Sequence, residues 1–197
     1  EPEEENDSIT NSLTLSDFGI NDLKTISLYG EVEENICHEI ISFFYNYKAL
    51  IPKEEIKSEK ETIDFIVSTE GGNVQDMFAI YDCMRDIKKE CDIQTYGVGK
   101  VMSAGVLLLA GGTKGKRKIG KHCRLMLHAV SGGHFGSLNE LEVDIKEVRW
   151  YQTQFIRALA KETKLSQKKV REIFYSKTDT YFDAQQALKW GMVDEVV

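Results

Sequence analysis

The sequence predicts an α/β fold, because segments with strand-like patterns alternate with segments that carry apolar residues at helical spacing. Polar and apolar side chains alternate at 25–29, which predicts a strand, and a helix is predicted at 37–47. Two glycine-rich turns, at 68–72 and 131–136, come directly after predicted strands. Strands that alternate with helices favour crossover connections and a largely parallel sheet covered by helices.

The later elements follow the same alternation. The charged residues 52–61 are typical of a solvated loop, and a third helix is predicted to begin near Ser103. The remaining predicted elements are a strand at 63–67, a helix at 74–88, strands at 93–98 and 124–128, and two or three helices within 138–189.

Length and charge narrow the class of protein. A chain of 197 residues with 42% hydrophobic residues can bury the core of one domain. We expect an acidic, flexible segment at 1–16 and a single domain at 17–197. The net charge of -7 argues against a nucleic-acid footprint, which needs a basic patch, and favours protein or peptide partners.

Cysteine usage and hydropathy point to a soluble protein in a reducing compartment. The four cysteines form no C-x-x-C pair, and Cys37, Cys83 and Cys123 lie in apolar-periodic segments that favour buried thiols. The sequence has no apolar run long enough to cross a bilayer, and its acidic start is unlike a signal peptide. We expect the cytoplasm or the soluble compartment of an organelle.

The sequence contains, in this order, a serine, a histidine and an aspartate, the three residue types that a catalytic serine site needs. Ser103 would be the nucleophile, His128 the base that takes its proton, and Asp179 the carboxylate that orients the imidazole. Their order along the chain differs from the orders in chymotrypsin-like, subtilisin-like and α/β-hydrolase enzymes, which indicates a different fold.

Each of these residues also has a structural interpretation. Ser103 is compatible with a helix N-cap, His128 with a core residue and Asp179 with a turn, and only the joint pattern favours catalysis. Asp183 and Glu172 are alternative carboxylates, although Asp183 also precedes a predicted helix as an N-cap would.

The two glycine-rich turns lie where an open α/β sheet binds ligands, beyond the carboxyl ends of its strands. The turn at 131–136 would let the backbone of an extended peptide approach and pair with it. In isolation, each turn is better explained as a simple chain reversal, because most Gly-Gly pairs only form turns.

Together these motifs resemble the Clp-type self-compartmentalised serine proteases. The resemblance runs from about residue 17 to the C-terminus, and Ser103 and His128 lie 25 positions apart, as in that family. The matching segments are Gly71-Gly72, Ile80-Tyr81-Asp82, Val101 to Leu108, Gly115-Lys116-Arg117, Met126-Leu127-His128, Gly132 to Gly136, Asp179 with Tyr181, and Gly191-Met192-Val193-Asp194.

The resemblance implies a crotonase-like fold of repeated βαβ units with a protruding long handle helix. It assigns Ser103, His128 and Asp179 as the triad. The backbone N–H groups of Gly72 and Ala104 would form an oxyanion hole. The substrate-binding residues that it implies are Gly132, Gly133 and His134.

The implied activity is that of a serine endopeptidase, the proteolytic subunit of a ring protease that degrades unfolded polypeptides delivered by an AAA+ unfoldase. The resemblance implies heptameric rings stacked as a homo-oligomeric tetradecamer. It implies no metal or other cofactor, with ATP used only by the partner unfoldase, and no nucleic-acid or membrane partner.

The predicted helix at 138–163 bears on this assembly. It would be roughly 35 to 40 Å long, more than one domain core needs. One apolar stripe runs along it, formed by Leu141, Ile145, Val148, Gln152, Phe155 and Leu159, whereas Trp150, Tyr151 and Ile156 lie off the stripe. The pattern favours an intersubunit role, and a long core helix with scattered exposed aromatic residues is the alternative.

Several positions depart from the family pattern. Thr69-Glu70 replaces Ser-Pro before the two glycines, Ala129-Val130 replaces Gln-Pro after the histidine, and Thr178 replaces an arginine that helps to link rings. The loop at 50–61 is longer than usual. The unusual turn at Glu70 keeps open a catalytically weak or silent ring subunit that supports an active paralogue, and the fold keeps open an acyl-CoA enzyme.

Overall fold

The computed structural model of the chain describes residues 24–51, 60–132 and 135–197. The predicted segment at 1–16, the start of the predicted domain at 17 and most of the charged loop at 52–61 lie outside these ranges. The predicted α/β alternation is confirmed in the described residues. The strands are β1 (Thr25–Val32), β2 (Thr62–Gly72), β3 (Asp92–Met102), β4 (Arg117–Ile119), β5 (Arg124–Leu127), β6 (Thr180–Asp183) and β7 (Glu195–Val196). The helices are α1 (Glu34–Leu50), α2 (Val74–Ile87), α3 (Ala104–Ala110), α4 (Leu138–Glu162), α5 (Gln167–Phe174) and α6 (Ala184–Lys189).

The strands form one largely parallel sheet in the order β1-β2-β3-β4-β7. Strand β3 is forked, because residues 95–97 pair with β4 and residues 100–102 pair with β5. Strand β6 then pairs antiparallel with β5 and is the exception to the parallel arrangement among the described strands. The fork separates β5 and β6 from the main sheet at the end of β3.

The core lies between the sheet and its helices. Ile63, Phe65 and Val67 alternate along β2 with more exposed residues and are fully buried, as one face of a covered strand should be. Phe44 of α1 meets Phe65 edge-to-face with ring centroids 5.6 Å apart. The whole of α3 is buried, so the turn that precedes it is held by packing on every side of the helix.

Strands β4, β6 and β7 were not predicted from the sequence. They contain three, four and two residues, which is too short for a period of two to stand out. The predicted set of two or three helices within 138–189 is found as α4, α5 and α6, with β6 lying between the last two.

Helix α4 contains 25 residues, about 37 Å, and begins with a capping box between Ser137 and Glu140. Its buried residues lie only in its C-terminal part, where Phe155 packs edge-to-face on Phe174 of α5. Ile156, which lies off the predicted apolar stripe, is buried, and both α3 and α5 pack against α4. Among the described helices, none combines the length and apolar character needed to cross a membrane.

Candidate active site

Ser103 occupies a strained turn between a strand and a helix. It connects β3 to α3, and its φ of 50° is the only positive value at a described residue other than glycine. Its backbone N–H donates to the carbonyl of Met126 at 2.8 Å, which ties the turn to β5. Such a turn exposes a hydroxyl at the edge of a sheet, as nucleophilic serines require. Its side chain makes no capping hydrogen bond to α3, so the alternative interpretation of Ser103 as a side-chain N-cap does not hold.

His128 is brought to Ser103 by strand register. Met102 pairs with Met126 across the parallel β3–β5 ladder, and the chain reaches His128 directly after β5 ends at Leu127. The His128 Nε2 atom lies 2.9 Å from Ser103 Oγ. With its proton on Nδ1, the imidazole accepts the hydroxyl proton of Ser103, which is the contact that general-base activation needs.

Asp179 lies on the far side of the imidazole. Leu127 pairs with Thr180 in the antiparallel β5–β6 ladder, so the residues just outside the ladder, His128 and Asp179, face each other. Asp179 Oδ1 is 4.0 Å from His128 Nδ1, which is longer than a hydrogen bond. Side-chain exposure is 33% for His128 and 49% for Asp179, so water reaches this pair.

The two alternative carboxylates have structural partners elsewhere. Asp183 accepts the backbone N–H of Gln186 at 2.8 Å and caps α6, and Glu172 forms an exposed ion pair with Lys169 on α5. Asp179 is therefore the sequence-predicted carboxylate that the fold brings to His128.

The glycine turn at the end of β2 lies against the nucleophile. Gly71 has φ +98°, and a Cβ atom there would be 2.7 Å from the Cβ of Ser103. At Gly72, a Cβ would be 2.3 Å from the carbonyl oxygen of Val32. The Thr69 hydroxyl accepts the N–H of Gly71 at 3.0 Å and donates to the carbonyl of Gly30 at 2.5 Å. These contacts hold the turn against Ser103 and leave no room for side chains at either glycine.

These residues open into one groove of about 910 Å³. Its lining includes both residues whose backbone N–H groups are predicted to bind an oxyanion, Gly72 and Ala104, the first residue of α3. First-turn N–H groups have no acceptor within their own helix, so the N–H of Ala104 can bind an anion. Gly132 lines the same groove, whereas Gly133 and His134 lie outside the described residues.

One contact next to the groove was missed from the sequence. The Gln152 side chain accepts the backbone N–H of Val130 at 3.1 Å, which joins α4 to the segment that follows His128. A polar residue within the apolar stripe of α4 was the signal that could have revealed it.

Comparison with known proteins identifies the family. A family model described as Clp protease matches residues 15–197. The chain belongs to the Clp protease family. The protein named ATP-dependent Clp protease proteolytic subunit 2 from Chlamydia pneumoniae is 33% identical over 167 residues, which are 85% of this chain and 77% of that relative. The protein of the same name from Corynebacterium diphtheriae is 31% identical over 174 residues, 88% of this chain and 82% of that relative.

Two of the segments that carried the Clp protease resemblance have a structural role here. Arg117 is nearly buried, and its Nε and Nη2 atoms donate to Asp194 at 2.8 and 2.6 Å. Asp194 also accepts the backbone N–H groups of Gly115 and Arg117. Burial alone would raise the pKa of Asp194, but the bonds from Arg117 outweigh it and lower that pKa. The pair anchors β4 to the C-terminal segment.

Within the described residues, no three or more histidine, cysteine, aspartate or glutamate side chains cluster in a way that could hold a metal ion. The groups that meet at the nucleophile are the Ser103 hydroxyl, the His128 imidazole and, across 4.0 Å from that imidazole, the Asp179 carboxylate.

Proposed function

We propose that this chain is the proteolytic subunit of a Clp-type serine peptidase and that Ser103 is its nucleophile. The observation that carries the proposal is the 2.9 Å contact between Ser103 Oγ and His128 Nε2 at the start of a fully buried helix. An acyl-CoA enzyme of the same fold has no need of this pair, and the family membership argues for a protease.

His128 serves first as a base and then as an acid. Ser103 Oγ attacks the peptide carbonyl carbon as its proton passes to Nε2, and the imidazolium then gives that proton to the departing amine. Water, activated by the same imidazole, attacks the ester carbon and releases Ser103. Asp179 favours the imidazolium electrostatically across 4.0 Å and forms a hydrogen bond when the pair tightens around a substrate.

The oxyanion of each tetrahedral intermediate is stabilised by backbone N–H groups of Gly72 and Ala104. The close packing of Gly71 on Ser103 supports this role, since it keeps the turn beside the nucleophile. The segment at 131–136, of which Ser131 and Gly132 line the groove, would pair with an extended peptide backbone. The reaction needs no metal or organic cofactor.

The subunit would work in stacked heptameric rings on unfolded polypeptides that an AAA+ unfoldase delivers, with ATP used by that partner alone. The exposed apolar residues along the N-terminal part of α4 support a role for this helix in assembly. A soluble compartment, cytoplasmic or organellar, is the expected location.

Labelling with a fluorophosphonate probe tests the proposal, with mass spectrometry of the modified peptide as the readout. We expect stoichiometric modification at Ser103 and none in Ser103→Ala. A correctly assembled protein that is not labelled would overturn the active-protease proposal and favour a silent ring subunit.

A further inference from the structure

An acidic residue lines the groove in which the oxyanion would form. Glu70 lines the groove together with Gly72, Ser103 and Ala104. Glu70 immediately precedes Gly71, so their Cα atoms are about 3.8 Å apart. Gly71 in turn packs closely on Ser103, the nucleophile. A negative charge at this position opposes the charge that develops on the scissile carbonyl oxygen.

The structure also contains the compensating charge. The Lys100 ammonium forms an ion pair with Glu70, and the two side chains are 45% and 62% exposed. Lys100 lies on β3 three residues before Ser103, and Val101 pairs with Thr69 across the β2–β3 ladder. The pair therefore bridges the ends of the two strands that supply the nucleophile and the glycine turn.

We infer that Lys100 is a positioning residue for the peptidase reaction: it holds the Glu70 carboxylate and neutralises its charge, so that the oxyanion develops without a net negative neighbour. This inference rests on the proposed function. An exposed ion pair adds little to folding stability, so its effect should be seen in reactivity and not in unfolding.

Other charges face the same groove and stay constant in the test. His128 has Asp179 on its far side, and the groove walls carry Asp144, Glu147 and Arg149 from α4. Because these groups are present in every variant, a difference in labelling rate between variants is due to the Glu70–Lys100 pair.

The experiment measures the rate at which a fluorophosphonate labels Ser103 in the full chain. In this reaction the bond from Ser103 Oγ to phosphorus forms, the phosphorus–fluorine bond breaks, the serine proton passes to His128 and fluoride leaves. Negative charge develops on the phosphoryl oxygen as it does on a peptide carbonyl.

We expect Lys100→Met to slow labelling by about 3- to 10-fold, because Glu70 is then unneutralised. Glu70→Gln should accelerate labelling by about 2-fold, since the lysine charge remains. The double variant should return towards the wild-type rate, and Lys100→Arg should restore it. Lys169→Met, which breaks the exposed Lys169–Glu172 pair on α5, is the matched control and should have no effect.

The pH profile separates this electrostatic role from a structural one. In Lys100→Met, the unpaired Glu70 carboxylate favours the protonated His128 imidazole, so the acidic limb of the rate profile should move to higher pH. In Glu70→Gln, the unpaired Lys100 ammonium has the opposite effect, and the acidic limb should move to lower pH. A Lys100→Met rate and profile equal to wild type, or a double variant as slow as Lys100→Met, would overturn the inference alone. Absence of labelling in the wild-type chain would instead overturn the proposed function and this inference with it.

Discussion

Leu127 pairs with Thr180 across the antiparallel β5–β6 ladder, and this register sets His128 and Asp179 opposite each other. On the other side of β5, the pairing of Met102 with Met126 brings Ser103 to the same imidazole. Three residues that are far apart in sequence therefore meet because one short strand pairs on both of its edges. A shift of β5 by one residue on either side would separate the imidazole from a partner.

Replacing Asp179 by asparagine should lower the labelling rate of Ser103 by about 10- to 100-fold. The carboxylate is half-exposed and 4.0 Å from Nδ1, so the loss should be smaller than in a triad with a buried, hydrogen-bonded aspartate. Asp183→Asn is the control, because asparagine also caps helices well and α6 should be retained. Equal rates for the two variants would remove Asp179 from the mechanism.

Gly71→Ala should reduce labelling of Ser103 by at least about tenfold, because the new Cβ would lie 2.7 Å from the Cβ of Ser103 and the turn must shift. Gly115→Ala is the matched control: Gly115 also has a positive φ, of +86°, but open space surrounds its missing Cβ. The control should cost about 1 kcal/mol of stability and leave labelling unchanged. A Gly71→Ala rate equal to that of the control would mean that the turn can move without affecting the nucleophile.

The sequence was sufficient to predict where Ser103 and His128 lie, because each follows an apolar strand and the ends of parallel strands meet at one edge. It was not sufficient for the Glu70–Lys100 pair, which depends on a register shift between Val67 and Thr69. The burial of Ile156 depends on how α3 and α5 dock, and no periodicity within α4 reveals that. Local patterns thus predict the elements, and their register and docking decide which side chains meet.

The exposed apolar side chains of α4 lead to a prediction about assembly. Val143 is 57% exposed in the isolated chain, and Val143→Glu should shift the protein to smaller species in light scattering if α4 joins subunits. Val197→Glu introduces the same change at a valine of similar exposure, 49%, and should preserve the wild-type mass. A wild-type mass for both variants would mean that subunit contacts lie elsewhere.

The four cysteines should be unreactive in the folded protein. All four are buried and none forms a disulfide, and burial raises the pKa of Cys83, Cys91 and Cys123 to about 11 and raises that of Cys37. At about pH 8 few of these thiols are ionised and none is accessible, so a colorimetric disulfide reagent should react slowly. In concentrated urea it should titrate four thiols. Rapid reaction of any thiol in buffer alone would show that its segment opens.

Asp194→Asn should destabilise the fold by about 2 kcal/mol near neutral pH, because it leaves the Arg117 guanidinium buried without its charge partner. The folded-state pKa of Asp194 is lowered, so the contribution of the pair is present above the unfolded pKa of about 3.9 and is lost as pH falls through the folded value. Urea unfolding at fixed protein concentration should therefore separate variant from wild type at neutral pH and bring them together in acid. Glu172→Gln, in an exposed pair, should change little, and an Asp194→Asn effect no larger than this control would contradict the anchoring role of Arg117 and Asp194.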